Sequence, residues 1–241
     1  MTDLTVTCFY WQDEHRRRDY IFKPCHVHIL KNMVARHLGI PHRFVCVTDD
    51  LSAAFINESI DTITLNKEKH VPGTVFTRLY QRSPDYPIKG RILNLDIDIV
   101  ITGSLDKLVD RDEPSVWWRN PNYSSGGASR AFYQTSVQLF TQGANQELWD
   151  DFDPVETPKW VNRRFGGAEQ AWVSERLPWT EPYWDERDGI YGAGRLFHGQ
   201  PDRGVTTELP DNACIVSFPG NRMPDQPEIQ ALHPWIKEHY R

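Results

Sequence analysis

No run of about 18 apolar residues occurs in this 241-residue chain, so no segment reads as a membrane-spanning helix. A basic surplus is missing too. Lys and Arg number 27 against 33 Asp and Glu, a net charge of -6, which leaves no broad cationic surface for general nucleic-acid binding. The one basic run, Arg16–Arg18, sits among Asp13, Glu14 and Asp19 and reads as a solvated turn. Cysteine is sparse: Cys8, Cys25, Cys46 and Cys214 lie far apart, and Cys25-x-x-His28 lacks the second half of a metal site. They read as reduced, mostly buried thiols. The first residues lack the basic-then-apolar layout of a secretory signal, and the expected location is cytoplasmic. Internal repeats and low-complexity linkers are also lacking, so residues 1–241 read as a single domain.

The residues that remain describe a globular α/β protein with 39% hydrophobic and 12% aromatic content, enough for a sizeable core. Thr5–Trp11 is rich in β-branched and aromatic residues and reads as a first strand. His26–Leu38 carries Val27, Leu30, Val34 and Leu38 at helical spacing and is closed by Gly39 and Pro41. Arg43–Thr48 is a short buried strand running into Asp49-Asp50. Strand, helix, strand in this order implies a right-handed parallel crossover. Thr62–Leu65 reads as another strand, Thr74–Gln81 as a helix, and Ile92–Val100 as a return to the sheet. Further on, Trp117-Trp118 closes a strand and Ser124–Ser129 is a turn. Tyr133–Phe140 is a strand, Asn145–Phe152 a short helix, Glu169–Leu177 a helix after Gly166-Gly167, and Ala213–Phe218 a last strand before Pro219-Gly220 and a proline-punctuated tail.

The chemistry concentrates in RILNLDIDIVITG, residues 91–103. On a strand Asp96 and Asp98 emerge on one side, roughly 7 Å apart, amid Leu93, Leu95, Ile97, Ile99 and Val100. Two such carboxylates repel one another and lose hydration, a cost that a divalent cation relieves. Mg²⁺ or Mn²⁺ held by carboxylates typically completes its shell with substrate phosphates. The alternative is a strand end whose aspartates cap turns or pair with Arg91 or Lys107. In open α/β sheets ligands bind beyond the carboxyl ends of strands, where Trp11, Asp49 and the Asp96/Asp98 pair fall.

With its neighbours, this segment resembles the nucleotide-sugar glycosyltransferases of the GT-A fold, and glycosyltransferase family 8 most closely. FTRLYQ at 76–81 and RILNLDIDIVITGSLDKL at 91–108 mirror that family's aromatic-x-Arg-Leu segment, its Asp-x-Asp strand and the Gly-x-Leu-x-x-Leu that follows. The resemblance implies a Rossmann-like mixed sheet flanked by helices, with residues 1 to about 110 as the nucleotide-binding half and 111–241 as the acceptor side. It implies a metal at Asp96 and Asp98, usually Mn²⁺, with Mg²⁺ as the other choice, bridging a nucleotide diphosphate. Arg78 then contacts the donor, and Phe9-Tyr10-Trp11 sits where the family binds the base. YQTSVQLF resembles the family's Asn-x-Gly strand, with Gln134 and Ser136 in those places. FGGAEQAWVSERL resembles its Asp-Gln segment, with Glu169 and Gln170 there. The family's closing His-x-x-Gly-x-x-Lys-Pro-Trp motif is altered: IVSFPGNRMPD keeps Gly220 and Pro224 but has Ser217, Met223 and Asp225 elsewhere. Arg222, one position off, offers a phosphate fork in place of the lysine, and His198 is a substitute metal ligand.

The implied activity is transfer of a sugar from a nucleotide-sugar, UDP-linked by resemblance, to an acceptor the sequence does not name, with retention at the anomeric carbon. Arg78 and Arg222 neutralise the leaving diphosphate, and Glu169 or Gln170 stabilises oxocarbenium character. A carboxylate at a helix start also has an ordinary use as a partner for the dipole. Among nine tryptophans, WTEPYW at 179–184 is a candidate acceptor wall. Two rival readings stand: a haloacid-dehalogenase-like phosphatase with Asp96 as nucleophile and Asp98 as acid/base, and a nucleotide-sugar-binding module without activity.

Overall fold

The computed structural model describes residues 4–11, 22–49, 60–65, 75–119, 132–165, 169–193, 208–218 and 223–241. Arg16–Arg18, Ser124–Ser129, Gly166-Gly167, His198, Pro219-Gly220 and Arg222 lie outside these residues. In chain order the elements begin with β1 (Leu4–Tyr10), α1 (Pro24–His37), β2 (His42–Thr48), β3 (Asp61–Thr64), a 3-10 helix (Val75–Arg82), β4 (Arg91–Leu95), β5 (Ile99–Ile101) and α2 (Asp106–Val109). There follow β6 (Ser115–Arg119), β7 (Tyr133–Thr141), α3 (Glu147–Asp150), α4 (Glu156–Phe165), α5 (Glu169–Arg176), β8 (Tyr183–Trp184), a 3-10 turn (Glu186–Asp188), β9 (Ile190–Gly192), β10 (Ile215–Ser217), α6 (Pro227–Leu232) and α7 (Trp235–His239). They form two compact units, one drawn from Met1–Arg16, Pro41–Leu95 and Asp112–Tyr183, the other from Arg17–Ile40, Asp96–Arg111 and Trp184–Arg241.

The first unit is built on a seven-stranded mixed sheet in the order β3-β2-β1-β4-β7-β6-β8. The first four of these are parallel, and β7 runs antiparallel to both β4 and β6. Every residue of β1 and β4 is buried, as expected of central strands covered on both faces. Burying Leu93 and Leu95 completely contributes about 1.5–3 kcal/mol each. One core cluster joins Phe9, Val45, Val47, Ile92 and Phe140 to Tyr80 and Tyr86. A second joins Phe76 and Leu79 to Trp117, Tyr133 and the inner faces of α4 and α5. The segment Val75–Arg82 contributes to both clusters. It is a 3-10 helix where the spacing suggested an ordinary one, and its tighter winding turns Tyr80 towards one core and Phe76 and Leu79 towards the other.

The second unit holds a three-stranded sheet, β5-β10-β9, with α1 and α7 packed on β5. Helix α1 begins at Pro24, where a missing N–H costs nothing, and buries Val27, Leu30, Met33 and Val34. Its end is tied to α2: Leu105 N–H donates to His37 O at 2.8 Å and Gly39 N–H to Asp106 Oδ1 at 2.7 Å. Gly189, at φ 86°, admits no other residue, since a Cβ there would fall 2.2 Å from Asn212 O.

One expectation is corrected. Residues 92–100 are not a single strand. β4 ends at Leu95, Ile97 and Asp98 form a turn, and β5 belongs to the other sheet, antiparallel to β10. Asp96 and Asp98 therefore stand in a turn and not on alternate positions of a pleat. The apolar run concealed the break because residues on both sides of it, Leu93, Leu95, Ile97, Ile99 and Val100, are all 5% exposed or less.

Candidate active site

The four parallel strands of the first unit end at Thr64, Thr48, Tyr10 and Leu95, and the residues just past three of these ends are Asp49, Trp11 and Asp96. Of the three aromatic residues expected under a base, Phe9 is enclosed in the core and Tyr10 is 4% exposed, which leaves half-buried Trp11 as the accessible one. Asp49 is also half-buried. The Arg78 guanidinium lies 6.0 Å from the centre of the Trp11 ring, at the outer limit of a cation–π contact.

Arg78 is the centre of a buried polar cluster. Its Nη1 lies 3.0 Å from Glu169 Oε1 and donates to Thr135 Oγ1 at 3.2 Å, while the Thr135 hydroxyl donates to Glu169 Oε1 at 2.7 Å. The Glu169 side chain is 1% exposed and that of Arg78 14%. A carboxylate so enclosed needs compensation. It has a guanidinium, a hydroxyl and a place as the first residue of α5, where the helix dipole favours negative charge. The outcome is an arginine fixed in direction beside Trp11.

Strand geometry explains why Thr135 completes the cluster. Leu95, the last residue of β4, pairs with Val137, so Thr135 lies beyond the carboxyl end of β4. By alternation Tyr133 and Thr135 share one face of β7, towards α5: the Thr135 hydroxyl donates to Glu169 Oε1 and the Tyr133 hydroxyl to Pro178 O, just past the end of α5. Gln134, the residue singled out from sequence, occupies the opposite face, buried and paired across the sheet with Trp118. Thr135 was missed, although the same alternation rule, anchored on buried Tyr133, selects it. Gln170 follows Glu169 on α5 and is half-buried.

In the second unit Asp96 and Asp98 are half-buried around Ile97, and Phe218 N–H donates to Asp98 O at 2.9 Å. Their carboxylates are hard oxygen donors two positions apart in the chain, a donor set that fits Mg²⁺ or Mn²⁺. Among the described residues no group of three or more His, Cys, Asp or Glu side chains is placed to hold a metal. His198, Gly220 and Arg222 lie outside those residues. Near the altered closing motif, Ser217 and Met223 are buried, and Asp225 serves His26 instead of a phosphate. His26 Nδ1 accepts the Lys23 N–H at 3.0 Å, so its proton sits on Nε2 and is donated to Asp225 Oδ2 at 3.2 Å. Burial, opposed by Asp225, holds the His26 pKa below its ordinary value, so the ring is neutral at pH 7.

A separate groove of about 570 Å³ on α4 and α5 is lined by Trp160, Trp172, Arg163, Arg176, Glu156, Glu175 and Thr157, none of which belongs to the cluster.

Strand order, the antiparallel closure by β7 and the clustering of polar residues past the parallel strands together define a GT-A fold, the expected Rossmann-like mixed sheet flanked by helices. Solved glycosyltransferases share it. The chain aligns over 98% of its length, and 96% of the other's, with the galactosyltransferase LgtC in complex with donor and acceptor sugar analogues, at TM-score 0.64 and 16% identity. An active-site glutamine-to-glutamate variant of LgtC gives TM-score 0.62. The glycosyltransferase GlyE of Streptococcus pneumoniae TIGR4 matches at TM-score 0.53 and 13% identity, over 78% of this chain and 46% of its own. At these identities the likeness is one of fold. No protein-family model matches the sequence, and no curated protein matches it.

Proposed function

We propose that this protein is a metal-dependent glycosyltransferase that moves a sugar from a nucleotide-sugar donor, UDP-linked, to an acceptor, with retention of anomeric configuration. The observation that carries this reading is the Trp11–Arg78–Thr135–Glu169 cluster, buried at Glu169 and accessible at Trp11, at the carboxyl edge of the parallel strands of a GT-A fold. Trp11 offers an aromatic face to the base. Arg78, held in direction by Glu169 and Thr135, meets the charge that develops on the leaving diphosphate, and its preorganisation means that no rearrangement is needed as the bond breaks. A divalent ion held by Asp96 and Asp98 would supply Lewis-acid neutralisation of that diphosphate. Glu169 is a positioning residue in this scheme, because its Oε1 is committed to Arg78 and Thr135. Gln170 presents its amide oxygen to the anomeric carbon, a role consistent with the active-site glutamine altered in the LgtC variant. The haloacid-dehalogenase alternative has no support in a fold of this class, whereas a binding module without turnover shares the fold and is separated by experiment.

Titration calorimetry with UDP- and GDP-sugars, with and without Mn²⁺, tests the reading. Metal-dependent binding of a UDP-sugar is expected, weakened about a hundredfold or more in Asp98→Asn, together with slow hydrolysis of the bound donor. Absence of binding in every metal removes the donor site. Binding without any turnover assigns the chain to the inactive module.

A further inference from the structure

We propose that Trp179 is the stacking platform for a pyranose ring of the acceptor, an inference that rests on the transferase reading and gives its acceptor a chemistry. Of the WTEPYW segment, Trp184 is 1% exposed and belongs to the interior, whereas Trp179 is 57% exposed. Among the described residues it is the one aromatic side chain in the set of large exposed hydrophobics, with Ile40, Val155 and Leu232. An exposed indole normally samples several rotamers. This one is held in place.

Arg119 Nη2 donates to Trp179 O at 2.7 Å, and its guanidinium carbon lies 4.6 Å from the Trp179 ring centre. Phe132 lies against the same indole at 4.1 Å between ring centres. Arg119 is itself stacked on Tyr183 at 4.0 Å, and its Nη2 also donates to the Tyr133 hydroxyl at 3.3 Å. That hydroxyl donates to Pro178 O at 2.8 Å, so the backbone on both sides of the 178–179 peptide is anchored. Fixing an exposed ring costs side-chain entropy and recovers little burial. The arrangement makes sense when a ligand supplies the missing contact, because the entropy is then already lost before binding.

Strand β7 links the platform to the reacting cluster. Tyr133, which braces Arg119 and Pro178, and Thr135, which bonds Glu169, are alternate residues on the same face, about 7 Å apart. Both residues are buried, so the link is one of support: neighbouring positions of a single strand hold the platform and the cluster. A pyranose carries C–H groups on one face and hydroxyls round its rim, so an aromatic face matches the first and a nearby guanidinium the second. The base of the donor has its own aromatic residue in Trp11, at the end of β1.

Fluorine NMR of the full chain labelled with 5-fluorotryptophan tests the proposal, the Trp179 signal being assigned by its absence from Trp179→Phe. Lactose, maltose, cellobiose and uridine are titrated in turn. At least one disaccharide is expected to shift the Trp179 signal saturably, with uridine without effect. With that disaccharide as acceptor, Trp179→Ala should raise KM about tenfold and change kcat less than about threefold, with Trp179→Phe restoring most of the loss. The proposal is overturned if no disaccharide moves the signal, if uridine alone moves it, or if Trp179→Ala weakens UDP-sugar binding in calorimetry. Failure of the transferase reading shows separately, as absence of donor binding by the unaltered chain.

Discussion

Arg78 and Arg82 lie four residues apart on one 3-10 helix, and the helix presents them to different surroundings. With about three residues per turn, positions i and i+4 point about 120° apart. Arg78 points to Glu169 and Thr135, and its charge is matched by a carboxylate. Among the described residues no carboxylate forms an ion pair with Arg82. Its Nη2 donates to Gln138 Oε1 at 2.7 Å and its Nη1 to Ala144 O at 3.1 Å, with the guanidinium 3.7 Å from the centre of the Phe140 ring and 4.7 Å from that of Trp117. Burial brings its pKa down to about 9, opposed by the more distant Glu147 and Glu181. One arginine keeps a matching carboxylate and is 14% exposed, and the other is 2% exposed and closed off by neutral acceptors and rings. The lesson is that two arginines on one short helix are distinguished by charge pairing and by access, and the proposed donor role falls to the one that has both.

Replacement of Arg78 should have the largest effect. Arg78→Met strands the Glu169 carboxylate and is expected to cost about 3–5 kcal/mol in denaturant unfolding. The double variant Arg78→Met/Glu169→Met should recover most of that stability while donor binding stays lost, which splits structural from functional use of the pair. Arg82→Met is expected to cost about 1–3 kcal/mol, because the carbonyl and amide acceptors lose their donor, and to leave the donor Kd unchanged. The same variant carries a pH signature. The folded pKa of Arg82 lies below its unfolded value of 12.5, so the penalty of the buried charge is fully present at neutral pH and is relieved as pH rises through about 9. Unfolding midpoints of the two proteins should therefore move in favour of the unaltered chain between pH 8 and pH 10. The exposed pair Arg43–Asp61, 2.8 Å apart but 65% and 60% exposed, sets the lower limit. Arg43→Ala should change stability by less than about 0.5 kcal/mol, and high salt should erase even that.

Much of this comparison was legible beforehand and part was not. Arg78 and Glu169 were both selected from sequence, but nothing in their separate motifs says that they touch, since the contact is made by a helix start meeting a 3-10 turn. Gln134 was chosen over Thr135 because the family motif pointed there, while the strand's alternation pointed one residue on. The central strands were readable because buried β-branched runs are distinctive. The end of β4 was not, because periodicity reports which face is buried and is silent where both faces are. Helices α6 and α7 went unread in the proline-rich tail, though Pro227 opens α6 and Pro234 immediately precedes α7, at helix starts where proline is well tolerated. Strands β8 and β9, two and three residues long, carry too few side chains for any pattern.

The place of β4 in the sheet also governs how the chain is made. Residue 4 pairs with residue 91, and the other side of β4 waits for residues 137–141. During synthesis β4 emerges with five core residues and one bare row of backbone groups, and it keeps that bare row until β7 has followed it out of the ribosome. A strand rich in Ile and Leu with an open edge invites pairing with the wrong chain. For β4 the exposed interval of translation runs from residue 95 to residue 141, and a pause within it would prolong the exposure of that edge.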